Sequence, residues 1–311
     1  MRAARIHEFG APEVIRVEAA PRPSPGPGEV LLLVAATSFN PIDAGLRSGA
    51  MQGVFPVRLP FTLGADVAGT VAELGDGVSA WRLGDPVIGA VPVTRGGAAA
   101  EFVVVAADSL TAAPARIPLA DAAGLPTSGL TAWQAVLEQG KASAGQRVLV
   151  NGGGGGVGTF AVQFAKLAGA TVIATASRRS AGAVRALGAD EIVDYRATPL
   201  AETAIEPVDL LINTVSLPAA AMPALVAKVR PGGLLVSVTT PAEPDPDRGV
   251  TASRVEMRSD VAQLAEIVRA VDEGRVRVDV SERERLTGLV AVHRRAAAGD
   301  LRGKVVITSN E

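Results

Sequence analysis

The chain has 311 residues, a hydrophobic fraction of 48%, a charged fraction of 20% and a formal net charge of −2. Those values describe a globular protein long enough for two domains with cores of their own. With 3% aromatics and no long run of one sign, they argue against an extended nucleic-acid groove, and the absence of cysteine excludes disulfides and thiolate metal sites and fits a cytoplasmic location.

The opening stretch MRAARIHEFG lacks the apolar centre of a secretory signal. From residue 1 to about 120, short apolar runs (EVLLLVAAT, DVAGTVAEL, DPVIGAV, EFVVVAA) are broken by Gly and Pro, the pattern of a mostly-β domain. PRPSPGPGE, Pro21–Glu29, reads as an ordered loop leading into a strand at Val30.

Beyond about Thr131 strand, turn and helix alternate. RVLVN reads as a buried strand. The helix after it spaces Val157, Phe160, Ala161, Phe164, Ala165 and Ala168 along one face, with Gly169 placed to end it. TVIATAS, EIVDY, VDLLINT and GGLLVSVTT follow as strands and SAGAVRALG as a helix, the order of a parallel sheet with helices on both faces. Two uncharged stretches of membrane-spanning length, Val148–Ala165 and Leu210–Ala227, contain six glycines and two prolines respectively and read as buried α/β segments. In the tail, DVAQLAEIVRAVDEG is an amphipathic helix and GKVVIT a strand expected to rejoin the first domain.

The five consecutive glycines Gly152 to Gly156 stand between the strand RVLVN and the following helix. Gly153, Gly155 and Gly158 satisfy G-x-G-x-x-G in the strand–turn–helix setting that lets a backbone approach a dinucleotide pyrophosphate. A cofactor with a free ribose 2′-hydroxyl usually meets an acid about 20 residues further on. Here Ser177, Arg178 and Arg179 stand in that place, and no acid lies between Gly158 and Asp190. A hydroxyl and two guanidiniums suit a phosphate, so the cofactor expected is NADPH.

The stretch GQRVLVNGGGGGVGTFAVQFAK, together with SFNPIDAGLRSG, LGADVAGTVAELGDGVSAWRLGDPVIG, GLTAW, LGADEIVDY, RPGGLLVSV and LRGKVVI, resembles the zinc-independent quinone oxidoreductases of the medium-chain dehydrogenase/reductase superfamily. The resemblance implies an α/β protein: a GroES-like mostly-β catalytic domain, residues 1–122 and 263–311, plus a doubly wound parallel-sheet Rossmann domain, residues 123–262. It places the cofactor in the cleft between them. By that likeness Thr131 sits near the nicotinamide, while Gly155, Gly156 and Val157 cradle the pyrophosphate. Ser177, Arg178 and Tyr195 surround the 2′-phosphate, with Arg178 and Arg179 in place of a lysine found in some relatives. Thr214, Val215, Val238 and Thr239 line the ribose and nicotinamide side.

Zinc-dependent members of that superfamily hold their metal with Cys, His and a carboxylate. Here the corresponding stretches read SFNPID and GAD, and the only histidines are His7 and His293. No metal is expected. Asp43, Asp66 and Asp85 read instead as turn-fixing acceptors for backbone N–H groups. Asn40 is the candidate polar residue in the cleft, holding either the carboxamide or the acceptor oxygen. Arg47 is a candidate either for a substrate anion or for a surface ion pair.

The function expected is zinc-independent hydride transfer from NADPH to quinones or α,β-unsaturated carbonyl acceptors. The alternatives are an enoyl-thioester reductase and a non-catalytic NADPH-binding sensor or crystallin-like protein. No nucleic-acid or membrane partner is expected. GVTASRVEMR reads as a strand at the sheet edge through which a homodimer would form.

Overall fold

The computed structural model describes residues 1–309. The chain divides into two units: Met1–Thr127 with Ser259–Gly274 and the segment from Val280 on, and Ser128–Arg258 with Arg275–Asp279.

In the first unit, among the described residues, a seven-stranded sheet is built around Glu29–Ser38. That strand pairs antiparallel with Asp66–Leu74, Phe102–Ala106 and the tail strand Lys304–Thr308. Val30, Leu31, Leu32, Val34 and Ala36 are all buried, so this central strand reads as a continuous apolar run and not as an alternation. The tail strand therefore rejoins the first unit, with Val306 opposite Ser38 and Ile307 opposite Thr37. Directly after Ser38 the chain turns into the helix Pro41–Ser48. Asn40 caps its N-terminus, Pro41 occupies the first helical position, and Gly49 ends it at a φ of 81°.

The second unit holds six parallel strands in the order Glu191–Val193, Thr171–Thr175, Arg147–Asn151, Val208–Asn213, Val229–Ser237, Thr251–Arg254. Val148, Leu149, Val150, Leu210, Leu211 and Ile212 are buried on both faces, which is why these strands are short unbroken apolar runs. The helix Gly156–Leu167 lays Phe160, Ala161, Phe164 and Ala165 into the core and is closed by Gly169 at a φ of 86°. Because the strands are parallel, Asn151, Thr175, Asn213 and Ser237, each the last residue of its strand, share the carboxyl edge of the sheet. Ligands of such sheets bind at that edge.

Candidate functional site

The strand Arg147–Asn151 runs into Gly152 at a φ of 92°, a left-handed conformation that costs a side-chain-bearing residue far more than glycine. Gly153 donates its N–H to Thr175 O at 3.0 Å and Gly155 donates to Gly152 O at 3.0 Å. A Cβ on Gly158 would collide with Gly152 O, and one on Gly153 would stand 2.8 Å from Ala174 Cβ. Close packing of turn, helix and neighbouring strand thus accounts for those two glycines. Gly155 differs. It is exposed, its φ of −89° is open to any residue, and a Cβ there would meet only Gly152 O at 3.5 Å. The fold does not itself demand a glycine at 155.

Gly155 caps the helix that starts at Gly156, and Thr159 N–H to Gly155 O is the first bond of its ladder. The amides of Gly156, Val157 and Gly158 precede any acceptor inside the helix, so they and the positive end of the helix dipole form a ready anion cradle. The residues present fit a dinucleotide pyrophosphate.

A separate concavity of about 390 Å3 is lined by Ser177, Arg178, Arg179, Asp194, Arg196 and Ala197. Ser177 caps the helix Arg178–Ala186 and donates its N–H to Ser180 Oγ at 3.1 Å. The Arg178 side chain is 94% exposed, with Nε 3.6 Å from Asp194 Oδ2. Asp194 Oδ1 accepts the Arg196 N–H at 3.1 Å. Arg196 and Asp194 are additions to the expected set. Tyr195 is 46% exposed and does not line the concavity.

The other expected cofactor contacts converge on the carboxyl edge. Thr214 Oγ1 donates to Asn151 O at 2.8 Å, Val238 N–H donates to Asn213 O at 2.9 Å, and Thr239 Oγ1 donates to Val215 O at 2.7 Å. Thr131 lies buried in the helix Pro126–Trp133.

Asn40 belongs to the first unit, inside a buried polar cluster. Asp43 Oδ2 accepts the Asn40 N–H at 2.9 Å and Asp43 Oδ1 accepts the Gly64 N–H at 3.0 Å. Asp66 Oδ1 accepts the Thr127 N–H at 2.8 Å, while its Oδ2 accepts from Asn40 Nδ2 at 2.7 Å and from Ser38 Oγ. Lys304 Nζ donates to Asn40 Oδ1 at 2.8 Å and to Phe39 O at 3.2 Å. Burial lifts the Asp43 carboxyl to about 7 against the pull of its two backbone donors, and burial lowers the Lys304 ammonium against the pull of Asp66 and Asp43.

Arg47 is neither a surface ion-pair partner nor an open anion site. It is buried, with Nε donating to His293 Nδ1 at 3.3 Å and Nη1 donating to Gly10 O. The helix Pro41–Ser48 turns Arg47 inward, and the carbonyl and imidazole replace the water it would otherwise bind.

A parallel six-stranded sheet with a glycine turn at its carboxyl edge, joined in one chain to a GroES-like β unit, defines an oxidoreductase of the medium-chain dehydrogenase/reductase class. Family profiles described as "Alcohol dehydrogenase GroES-like domain" and "Zinc-binding dehydrogenase" match residues 26–115 and 187–307. The chain is 31% identical over 327 residues to "NAD(P)H oxidoreductase RTN4IP1, mitochondrial" of Danio rerio, covering 92% of this chain and 84% of the relative. It is also 31% identical to "Quinone-oxidoreductase QR1, chloroplastic" of Triphysaria versicolor, covering 99% of this chain and 98% of that one. The solved quinone oxidoreductase from Coxiella burnetii superposes with a TM-score of 0.90 at 30% identity, covering 100% of this chain and 99% of its own. The chain belongs to the quinone oxidoreductase family of that superfamily and is an NAD(P)H-dependent oxidoreductase.

The second profile's description raises the question of zinc, and the donor set here does not fit it. Among the described residues no three His, Cys, Asp or Glu side chains converge. His7 is held against Glu18 at 2.8 Å and His293 against Arg47, while the cation beside Asp66 is the Lys304 ammonium at 3.7 Å. No helix among the described residues is long and apolar enough to cross a membrane.

Proposed function

We propose that the protein transfers hydride from NADPH to a quinone or an α,β-unsaturated carbonyl compound without zinc. The observation that carries the cofactor choice is the concavity whose lining holds Ser177, three arginines, Arg178, Arg179 and Arg196, and one carboxylate, Asp194. Three guanidiniums against one acid favour a 2′-phosphate, and the planar donor fork of arginine matches its oxygens. Asp194 supports a second reading, acceptance of NADH through its ribose 2′-hydroxyl, so the proposal is a preference for the phosphorylated cofactor.

In this reading the amides of Gly156, Val157 and Gly158 hold the pyrophosphate. Gly155 stays bare to let it approach, and Gly153 closes the turn beneath. Thr214, Val215, Val238, Thr239 and Thr131 line the ribose and nicotinamide. The bound cofactor supplies hydride, and the protein supplies orientation and field. Asn40 is the proposed catalytic residue of the first unit: Lys304 and Asp66 fix which end of its amide faces which way, so any contact it makes is pre-oriented. We assign residues 1–122 and 263–311 to catalysis and 123–262 to the cofactor.

We also propose a homodimer formed through the edge strand Thr251–Arg254, which has one paired side only, and a cytoplasmic location in keeping with the lack of cysteine.

Steady-state oxidation of NADPH and NADH against a panel of quinones and enones tests the function. Turnover with quinones or enones and a lower KM for NADPH supports it. Tight NADPH binding without turnover would make the protein a sensor, and turnover restricted to thioester enones would make it an enoyl-thioester reductase.

A further inference from the structure

Four strands of the parallel sheet end in polar side chains that are all buried: Thr175, Asn151, Asn213 and Ser237. They are joined in one direction. Thr175 Oγ1 donates to Asn151 Oδ1 at 2.9 Å, and Asn151 Nδ2 donates to Asn213 Oδ1 at 2.9 Å. Asn213 Nδ2 faces Val215 O at 3.0 Å, Ser237 Oγ at 3.1 Å and Thr239 Oγ1 at 3.2 Å. The near end of this row accepts the N–H of Gly152, the first residue of the glycine turn, at Thr175 Oγ1 at 2.8 Å. The far end ties down the segments after Asn213 and Ser237.

We infer that Asn213 is a positioning residue which couples the two halves of the cofactor site, and this rests on the NADPH reading above. The amide orientations are forced, because reversing either one would set acceptor against acceptor or donor against donor along the row. Asn213 Oδ1 also receives the Val215 N–H at 3.3 Å, so this one amide holds both polar groups of the Val215 backbone. The turn under the pyrophosphate and the loops at the nicotinamide end are thereby one hydrogen-bonded unit. Neither glycine turn nor basic concavity depends on Asn213 directly, so the adenosine end is expected to bind without it.

Calorimetry with two probes separates the halves: adenosine 2′,5′-bisphosphate, which reads the adenosine end (the basic concavity and, through its 5′-phosphate, the glycine turn), and NADPH, which reads both ends. Asn213→Leu, which adds no charge, is expected to weaken NADPH about 10-fold and leave the bisphosphate unchanged. Asn213→Asp keeps the acceptor for Asn151 but turns an oxygen on Val215 O, so it is expected to lose as much. Its affinity recovers toward pH ~5, where a protonated carboxyl restores a donor, while Asn213→Leu shows no such recovery. If either variant does not fold, Asn151→Asp breaks the row at its middle and is expected to give the same two-probe pattern. Equal losses for both probes, or wild-type NADPH affinity in folded variants, would overturn the coupling. A wild-type protein that binds neither probe would instead remove the cofactor reading on which the coupling rests.

Discussion

Lys304 Nζ lies 2.8 Å from Asn40 Oδ1 and 3.7 Å from Asp66 Oδ2, with Lys304 1% exposed and Asp66 fully buried. An ammonium taken out of water survives only with a counter-charge and hydrogen-bond acceptors, and here Asp66, Asn40 and Phe39 O provide them. Breaking one side of such a pair leaves the other charge buried alone. Lys304→Met is therefore expected to cost ~3–5 kcal/mol of folding stability, read by urea unfolding. Lys304→Met with Asp66→Asn should recover a large part of that loss, because no unpaired charge is left. Equal losses for single and double variants would show that Lys304 acts by packing alone.

Asp43 and His293 give the stability of this unit a pH dependence of opposite signs. Asp43 is raised to about 7 by burial, so its folded form binds a proton more tightly than the unfolded chain. Its contribution is full below the ordinary carboxylate range and is lost as pH rises through about 7. His293 is lowered to about 4, first by burial and then by the neighbouring Arg47 charge, so stability from this group grows as pH rises from about 4 to 6.5. The two slopes offset each other over that range. In Asp43→Asn the unfolding free energy should rise with pH between about 4 and 6.5, and in His293→Phe it should fall between about 4 and 7, relative to wild type. Parallel pH profiles for the three proteins would refute the assignment.

Gly155 and Gly158 separate what the fold needs from what the proposed pyrophosphate site needs. A side chain at 158 strikes Gly152 O, whereas at 155 it enters open space. Gly158→Ala is expected to abolish folding or lower stability by ~3 kcal/mol or more, since backbone cannot yield as a side chain can. Gly155→Ala should melt within about 0.5 kcal/mol of wild type while NADPH affinity drops about 10-fold, because the added methyl would stand where the proposed site brings in the pyrophosphate. Thermal unfolding with and without NADPH reads both. A Gly155→Ala protein that binds normally would leave the bare position without a function.

The strand–turn–helix rhythm of residues 147–169 was legible because its causes are local: an apolar run, a glycine turn and a helical stripe closed by Gly169. The partners of Arg47 and Lys304 were not. Arg47 meets His293 from 246 positions away and Lys304 meets Asn40 from 264, and no local pattern marks a charge that folding will bury. Lys304 opens a short strand near the end of the chain, where a charge ordinarily reads as solvated. The row through Asn151 and Asn213 had a signal that reading each strand singly does not register. Four strands expected to be parallel all end in Asn, Thr or Ser, and aligning their carboxyl ends would have brought those side chains together. Arg196 carries no local signal either: it stands in a polar turn 18 positions after Arg178, and only the folded chain brings the two to one concavity.

The basic concavity yields the sharpest cofactor test. Arg178 is almost wholly exposed, and its contact with Asp194 at 3.6 Å is loose, so water screens much of what it can contribute to a phosphate. Arg178→Ala is accordingly expected to weaken NADPH only about 3- to 10-fold, and Arg178→Ala with Arg179→Ala about 10- to 100-fold. NADH affinity should stay within about twofold in both, since it has no 2′-phosphate for the guanidiniums to hold. Asp194→Asn removes the single acid and is expected to act in reverse, tightening NADPH and weakening NADH, whose ribose hydroxyl loses its acceptor. The NADPH advantage should shrink as salt is raised, because the charges that create it face solvent. Dissociation constants for both cofactors at two ionic strengths decide the matter. A double arginine variant that loses NADPH and NADH equally would move the recognition of phosphate away from this concavity.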